Sequence, residues 1–297
     1  MIDQLPKGAI PDAPDNRDFA AAPFLASLPA VDWSKGSGLP RPALRDQNTA
    51  DACVAHAWSY YHQQIKGLEF SRRDLFARIA QTYGAQIRDG GVAIVNQGQQ
   101  TEAELPDPNP ENPANMRDKT GLDLAKERDD QELNSFVVPN DIDSTAKAIA
   151  AYKGVAFGVQ GTNAGWQDMV NPNPPTAAEM ATAGQANSPL WGHALYAVDF
   201  HIHSDGQKCI IAATSWPSAG ITEHHIRQNY FTSGNTFSPW TLIPKEQQMN
   251  QAIVVKSKTS PQVYICYKVP DMDWLQKTCN IQAIAYDPAN IPDSDSL

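Results

Sequence analysis

Cys53 opens a helical run of apolar residues, and that placement constrains the chain more than any other feature. Gln47-Asn48-Thr49-Ala50-Asp51-Ala52-Cys53 leads into a stretch with Val54, Ala57, Trp58, Tyr61 and Ile65 at i, i+3 and i+4 spacing. That spacing predicts an amphipathic helix over 52–65 with its apolar stripe against a core. Asp51 or Thr49 is placed to cap it. A thiol in the first turn feels the positive end of the helix dipole, which favours the nucleophilic thiolate. Far downstream, Gly192-His193-Ala194 starts a strand-like run that ends at Phe200. A histidine there can act as base, because nucleophile and base need be neighbours only in the fold. Gln47 carries an amide able to donate to an oxyanion forming beside the thiol.

The remaining pattern predicts helices over 72–83 (capped by Ser71), 89–96 (stopping at Gly98) and 143–152. Strands are expected over 154–159, 193–200, 209–214, 252–256 and 263–267. The Pro- and Asn-rich stretches 105–121 and 171–189 read as long surface loops. These signals divide the chain into three parts. Residues 1–28, broken by Pro6, Pro11, Pro14 and Pro23, form an extended lead-in that wraps a surface. Residues 29–245 form an α+β domain, helical in its first half and strand-rich in its second. Residues 246–297 add C-terminal strands and a polar tail.

A net charge of -10 and the absence of a Lys/Arg-rich run argue against nucleic acid or an anionic membrane surface as partner. No stretch approaches the ~20 apolar residues of a membrane span. The N-terminus lacks the basic and apolar regions of a signal peptide, and four cysteines without a CxxC pair suggest no disulfide framework. A reducing interior such as the cytoplasm follows. Cys266 and Cys279 read as free thiols, with a pair as the alternative.

The residues around Cys53 and His193 resemble the papain-like (C1) cysteine peptidases, in the bacterial and phage-encoded branch without a signal peptide. The family pattern Gln-Gly-x-x-Gly-x-Cys-Trp-Ala stands here as Gln47 through Ala55, with the Gln-to-Cys spacing kept. Leu28-Pro29-Ala30-Val31-Asp32-Trp33 and the strand His193-Ala194-Leu195-Tyr196 are also similar, and Thr214-Ser215-Trp216 stands where the family has Asn-Ser-Trp. The resemblance covers residues 28–245. It implies a two-subdomain fold, a helical half bearing the nucleophile and a β-barrel-like half bearing the base. It implies no cofactor and no metal. By position, Cys53 would be nucleophile and His193 base and acid. Gln47 and the Cys53 N–H would form the oxyanion hole. Thr214 would orient the imidazole and Trp216 would shield it. Gly84 would pair with an extended substrate.

Three residues depart from the family: Thr214 for Asn, Val54 for Trp, and Ala50 for a Cys used in secreted members. A threonine hydroxyl can still bond an imidazole, so a Cys-His dyad survives. Two readings stand. One is a thiol peptidase acting on polypeptides. The other is a non-catalytic papain-fold component of a larger assembly, such as a phage virion or tail.

Other histidines have simpler readings. His56, one turn from Cys53, is a rival base more often packed in a core. His201, His203, His224 and His225 would make a zinc site only with closed tetrahedral geometry and are expected to be solvated. Trp166, Trp191 and Trp240 could line a cleft, with aromatic core as the default.

Overall fold

Side chains along residues 191–202 alternate between two hydrophobic cores, and the rest of the fold is laid against these two faces. Ala194, Tyr196 and Val198 join one core, while Leu195, Ala197 and Phe200 join the other. The period of two is that of a strand, and the register shift between Ala197 and Asp199 carries Phe200 to the second face.

The computed structural model describes residues 7–15, 18–123 and 133–245, and the strand backbones of 253–256, 263–266 and 282–285. The helices are α1 (Ala22–Ala26), α2 (Cys53–Lys66), α3 (Arg72–Ile79), α4 (Ile87–Gln97), α5 (Pro113–Met116), α6 (Ile142–Tyr152), α7 (Ala177–Met180) and α8 (Gln228–Thr232). The strands are β1 (Ala9–Ile10), β2 (Ala85–Gln86), β3 (Leu133–Val137), β4 (Val155–Gly161), β5 (Trp191–Ile202), β6 (Lys208–Ala213), β7 (Glu223–Arg227), β8 (Thr236–Pro244), β9 (Ile253–Lys256), β10 (Val263–Cys266) and β11 (Gln282–Ala285).

An antiparallel sheet of order β3-β8-β4-β5-β6-β7 forms the second half. α2, α3 and α4 cover one side and share the core with Trp58, Tyr61, Leu75 and Ile94. α6 lies on the other side with Ile149, Phe157 and Trp216. The architecture is α+β, as expected. β9, β10 and β11 form a separate antiparallel sheet. The side chains of Cys266 and Cys279 and the tail 287–297 lie outside the described residues. Among the described residues no helix is long and apolar enough to cross a membrane.

Two local expectations are corrected. α3 stops at Ile79 instead of residue 83, because Ala80 turns extended and Gln81 N–H closes a turn on the Gly84 carbonyl at 2.9 Å. Neither Asp51 nor Thr49 caps α2. Asp51 is committed elsewhere, accepting from Gly84 N–H at 2.6 Å and from the Arg117 guanidinium at 2.6 and 2.8 Å. Ser71 does cap α3, accepting from Asp74 N–H at 3.1 Å.

Candidate active site

Cys53 is the first residue of α2 and is fully buried where that helix meets β5. Its Sγ accepts the N–H of Ala194 at 3.5 Å, so the residue beside His193 touches the thiol. Burial pushes this thiol up from 9.0 to about 11, against the pull of the Ala194 and Gly8 N–H groups. The helix-dipole expectation of a ready thiolate is therefore corrected. Desolvation disfavours the charged form by more than the start of α2 favours it.

His193 is also fully buried, its ring stacked on Trp216 at 3.8 Å between centroids and 15° between planes. Neither ring nitrogen has a hydrogen-bond partner. Burial, then the neighbouring His224, His56 and Lys7, hold this imidazole well below its ordinary value, so it is neutral. Thr214 bonds a different histidine. His224 Nε2 lies 3.0 Å from Thr214 Oγ1 and Nδ1 lies 2.6 Å from the Met169 carbonyl. A carbonyl only accepts, so Nδ1 carries the proton and the Thr214 hydroxyl donates to Nε2. That hydroxyl oxygen also accepts Trp216 N–H at 3.0 Å.

Gln47 is buried and held at both ends. Its Oε1 accepts from the Ser215 hydroxyl at 2.5 Å and its Nε2 donates to the Ala50 carbonyl at 2.8 Å. His56 is packed in the core, bonded to Glu111 at 2.8 Å. His224 corrects the expectation of solvated histidines, since it is completely buried. Ser215, which bonds Gln47, and His224, which bonds Thr214, enter this cluster in pairings the sequence did not signal. Ser215 stood between two motif positions, whereas His224 carried no local signal beyond a polar pair on a strand.

Residues 8–10 of the lead-in pack inward, whereas Pro11, Ala13 and Pro14 are exposed. β1 runs parallel to β2, with Ala85 N–H donating to the Gly8 carbonyl at 2.9 Å. Contact is backbone to backbone. A Cβ on Gly84, whose φ is +62°, would lie 1.7 Å from the Gly8 carbonyl oxygen, and one on Gly192 would lie 2.2 Å from the Ala9 carbonyl. Residues 8–10 thus pack between Gly84 and Gly192, with the Gly8 backbone bonded to the Cys53 thiol.

No protein-family model matches the chain, and no curated protein matches it in sequence. Solved structures do match. Xylellain, a cysteine protease from Xylella fastidiosa, aligns with a TM-score of 0.59 at 21% identity, over 81% of this chain and 97% of that one. The ragweed pollen allergen Amb a 11, a cysteine protease in its proform, gives 0.54 at 16% identity over 79% and 71%. A procathepsin B from Trypanosoma congolense gives 0.53 at 14% identity over 82% and 87%.

The fold is papain-like.

Within this papain-like fold Cys53 and Gly84 lie against Gly8, His193 and Trp216 stack beside Trp166 and His224, Thr214 bonds His224, and Gln47 bridges Ser215 and Ala50. Trp166, Trp191 and Trp216 form an aromatic wall behind His193, with Trp166 5.1 Å from Trp191 and 6.1 Å from Trp216. Trp240 belongs to the core on the α2 side.

Proposed function

We propose that the chain is a latent cysteine peptidase whose own segment 8–10 fills the substrate groove. One observation carries the reading. The thiol that starts α2 meets β5 at Ala194, next to an imidazole clamped on Trp216, under a strand-paired peptide segment.

The chemistry follows once the segment leaves. Water reaches the thiol and imidazole, which lifts the desolvation that keeps both neutral. His193 takes the Cys53 proton and the thiolate attacks the substrate carbonyl carbon. The Cys53 N–H and the Gln47 amide face the oxyanion, Gln47 after releasing the Ala50 carbonyl. His193 then protonates the leaving amine, and water hydrolyses the thioester. Gly84, bare of a side chain, leaves room for substrate backbone. Free thiols at Cys53 and Cys209 suit a reducing compartment.

A second reading is favoured by Thr214, which serves His224 and leaves both His193 ring nitrogens without a hydrogen bond. It makes the chain a non-catalytic papain-fold component of a protein assembly. Gly8→Val decides between them. Its Cβ would meet the Asp51 carbonyl at 2.2 Å, so the segment cannot seat. Peptidase chemistry predicts faster Cys53 alkylation at neutral pH and cleavage of a denatured protein substrate, both lost on adding His193→Ala. Faster alkylation without cleavage, indifferent to His193, would leave the non-catalytic reading.

A further inference from the structure

On the face of β5, β6 and β7 turned away from the buried His224, three soft ligands converge. His201 on β5 is the register partner of Cys209 on β6, and His225 on β7 pairs with Ile211, two residues further along the same face. One donor atom from each of His201, Cys209 and His225 lies within 4.8 Å of the others. The His201 and His225 rings are 5.3 Å apart between centroids. Cys209 is buried at the floor and both imidazoles are part-exposed at the mouth.

We propose that His201, Cys209 and His225 bind one thiophilic divalent cation of the zinc class, with water in an outward fourth position.

The donor set suits this ion. Two imidazoles and a thiolate are zinc's usual ligands, at about 2.0 Å for nitrogen and about 2.3 Å for sulfur. Tetrahedral bonds of that length set the donors roughly 3.5 Å apart, so modest side-chain rotation closes the site. A second observation comes from His225 itself. Its Nε2 lies 3.2 Å from the Glu223 carboxylate, while its Nδ1 is buried with no hydrogen-bond partner. This is the pattern of a ligating histidine whose other nitrogen is oriented by a carboxylate. His203 is unsuited as a fourth ligand, because Asn171 holds its Nε2 at 3.0 Å and Asp205 pairs with Nδ1 at 3.1 Å. Of the nearby cations, Arg227 is engaged by Asp205 and Asn173, and Arg41 by Asp199 and the other oxygen of Glu223. On binding, the ion replaces the Cys209 thiol proton, which leaves to water. The ion then ties together three strands whose opposite face holds His224 and Thr214.

The test is titration of the reduced full chain with Co2+ and then Zn2+. The expected result is one Co2+ per chain with a near-ultraviolet sulfur-to-cobalt band and intense tetrahedral visible bands, both displaced by Zn2+. Cys209→Ser should abolish the band, and His201→Asn or His225→Asn should weaken binding at least about tenfold. His203→Asn and Cys53→Ser should leave it unchanged. The part-exposed His225 guards against misfolding of the buried Cys209 variant, with near-ultraviolet circular dichroism checking both. A Co2+ spectrum without a thiolate band, or a band that survives Cys209→Ser, overturns the proposal.

Discussion

At the scale of single residues, burial governs the chemistry. His193 is held neutral in the fold, while in the unfolded chain it takes up a proton near its ordinary value of 6.5. The unfolded state then binds more protons as pH falls, so stability present above 6.5 is lost on acidification. The slope reaches about 1.4 kcal/mol per pH unit for one group. Urea midpoints below pH 6.5 should therefore fall less steeply for His193→Gln than for the parent chain. Cys53 acts at the other end. Burial pushes its thiol up from the ordinary 9.0 to about 11 in the fold, so stability declines as pH climbs from 9.0 towards 11. Cys53→Ala should flatten that alkaline decline. Trp216 is the mechanical support of the imidazole. Trp216→Ala should cost about 3–5 kcal/mol in chemical denaturation, the range for deleting a fully buried large aromatic.

At the scale of elements, helices and strands of strong period were legible from sequence. The run from Val54 to Ile65 and the strand from His193 to Phe200 came through because apolar residues dominate both, although α2 is buried on all sides from Cys53 to His62 and β5 buries both of its faces. What failed was settled by contacts distant in sequence. Asp51 looked like a cap for α2 until Gly84 and Arg117, 33 and 66 positions away, claimed its carboxylate. Burial works to raise that carboxyl, yet the Arg117 pair and the Gly84 N–H hold it below its ordinary value. Tyr83 continued a helical stripe that the turn at Gly84 interrupts. Thr214 stands just past β6, but its partner His224 sits on β7, and no spacing rule connects them. Ser71→Ala should lower stability by about 1 kcal/mol through loss of the α3 cap, measured by thermal or urea unfolding.

At the scale of the whole molecule, the lead-in is fastened away from the thiol. Asp12 supplies the cap that α4 lacks, accepting Arg88 N–H at 3.2 and 3.3 Å, and it also takes the Trp240 indole N–H at 2.7 Å. The Arg88 guanidinium donates to the Ala13 carbonyl at 2.6 Å and pairs with Asp18. Arg88→Ala removes the guanidinium contacts without altering any groove residue. It should raise the Cys53 alkylation rate several-fold, short of Gly8→Val, with the urea midpoint nearly unchanged. The prolines predict an extended lead-in, and β1 is extended while Ala22–Ala26 is helical as α1. The place where β1 packs was not readable, because glycine contacts between backbones leave no hydrophobic pattern in the sequence.

The bond from Ala85 N–H to the Gly8 carbonyl has a kinetic consequence. That amide can trade its proton for deuterium only when the lead-in lifts, so its exchange rate times the opening of the groove. If the groove opens by local detachment, Ala85 should exchange far faster than the amides at the centre of β5, and Arg88→Ala should speed Ala85 alone. The latent state would then carry its own isotopic clock, readable without any substrate.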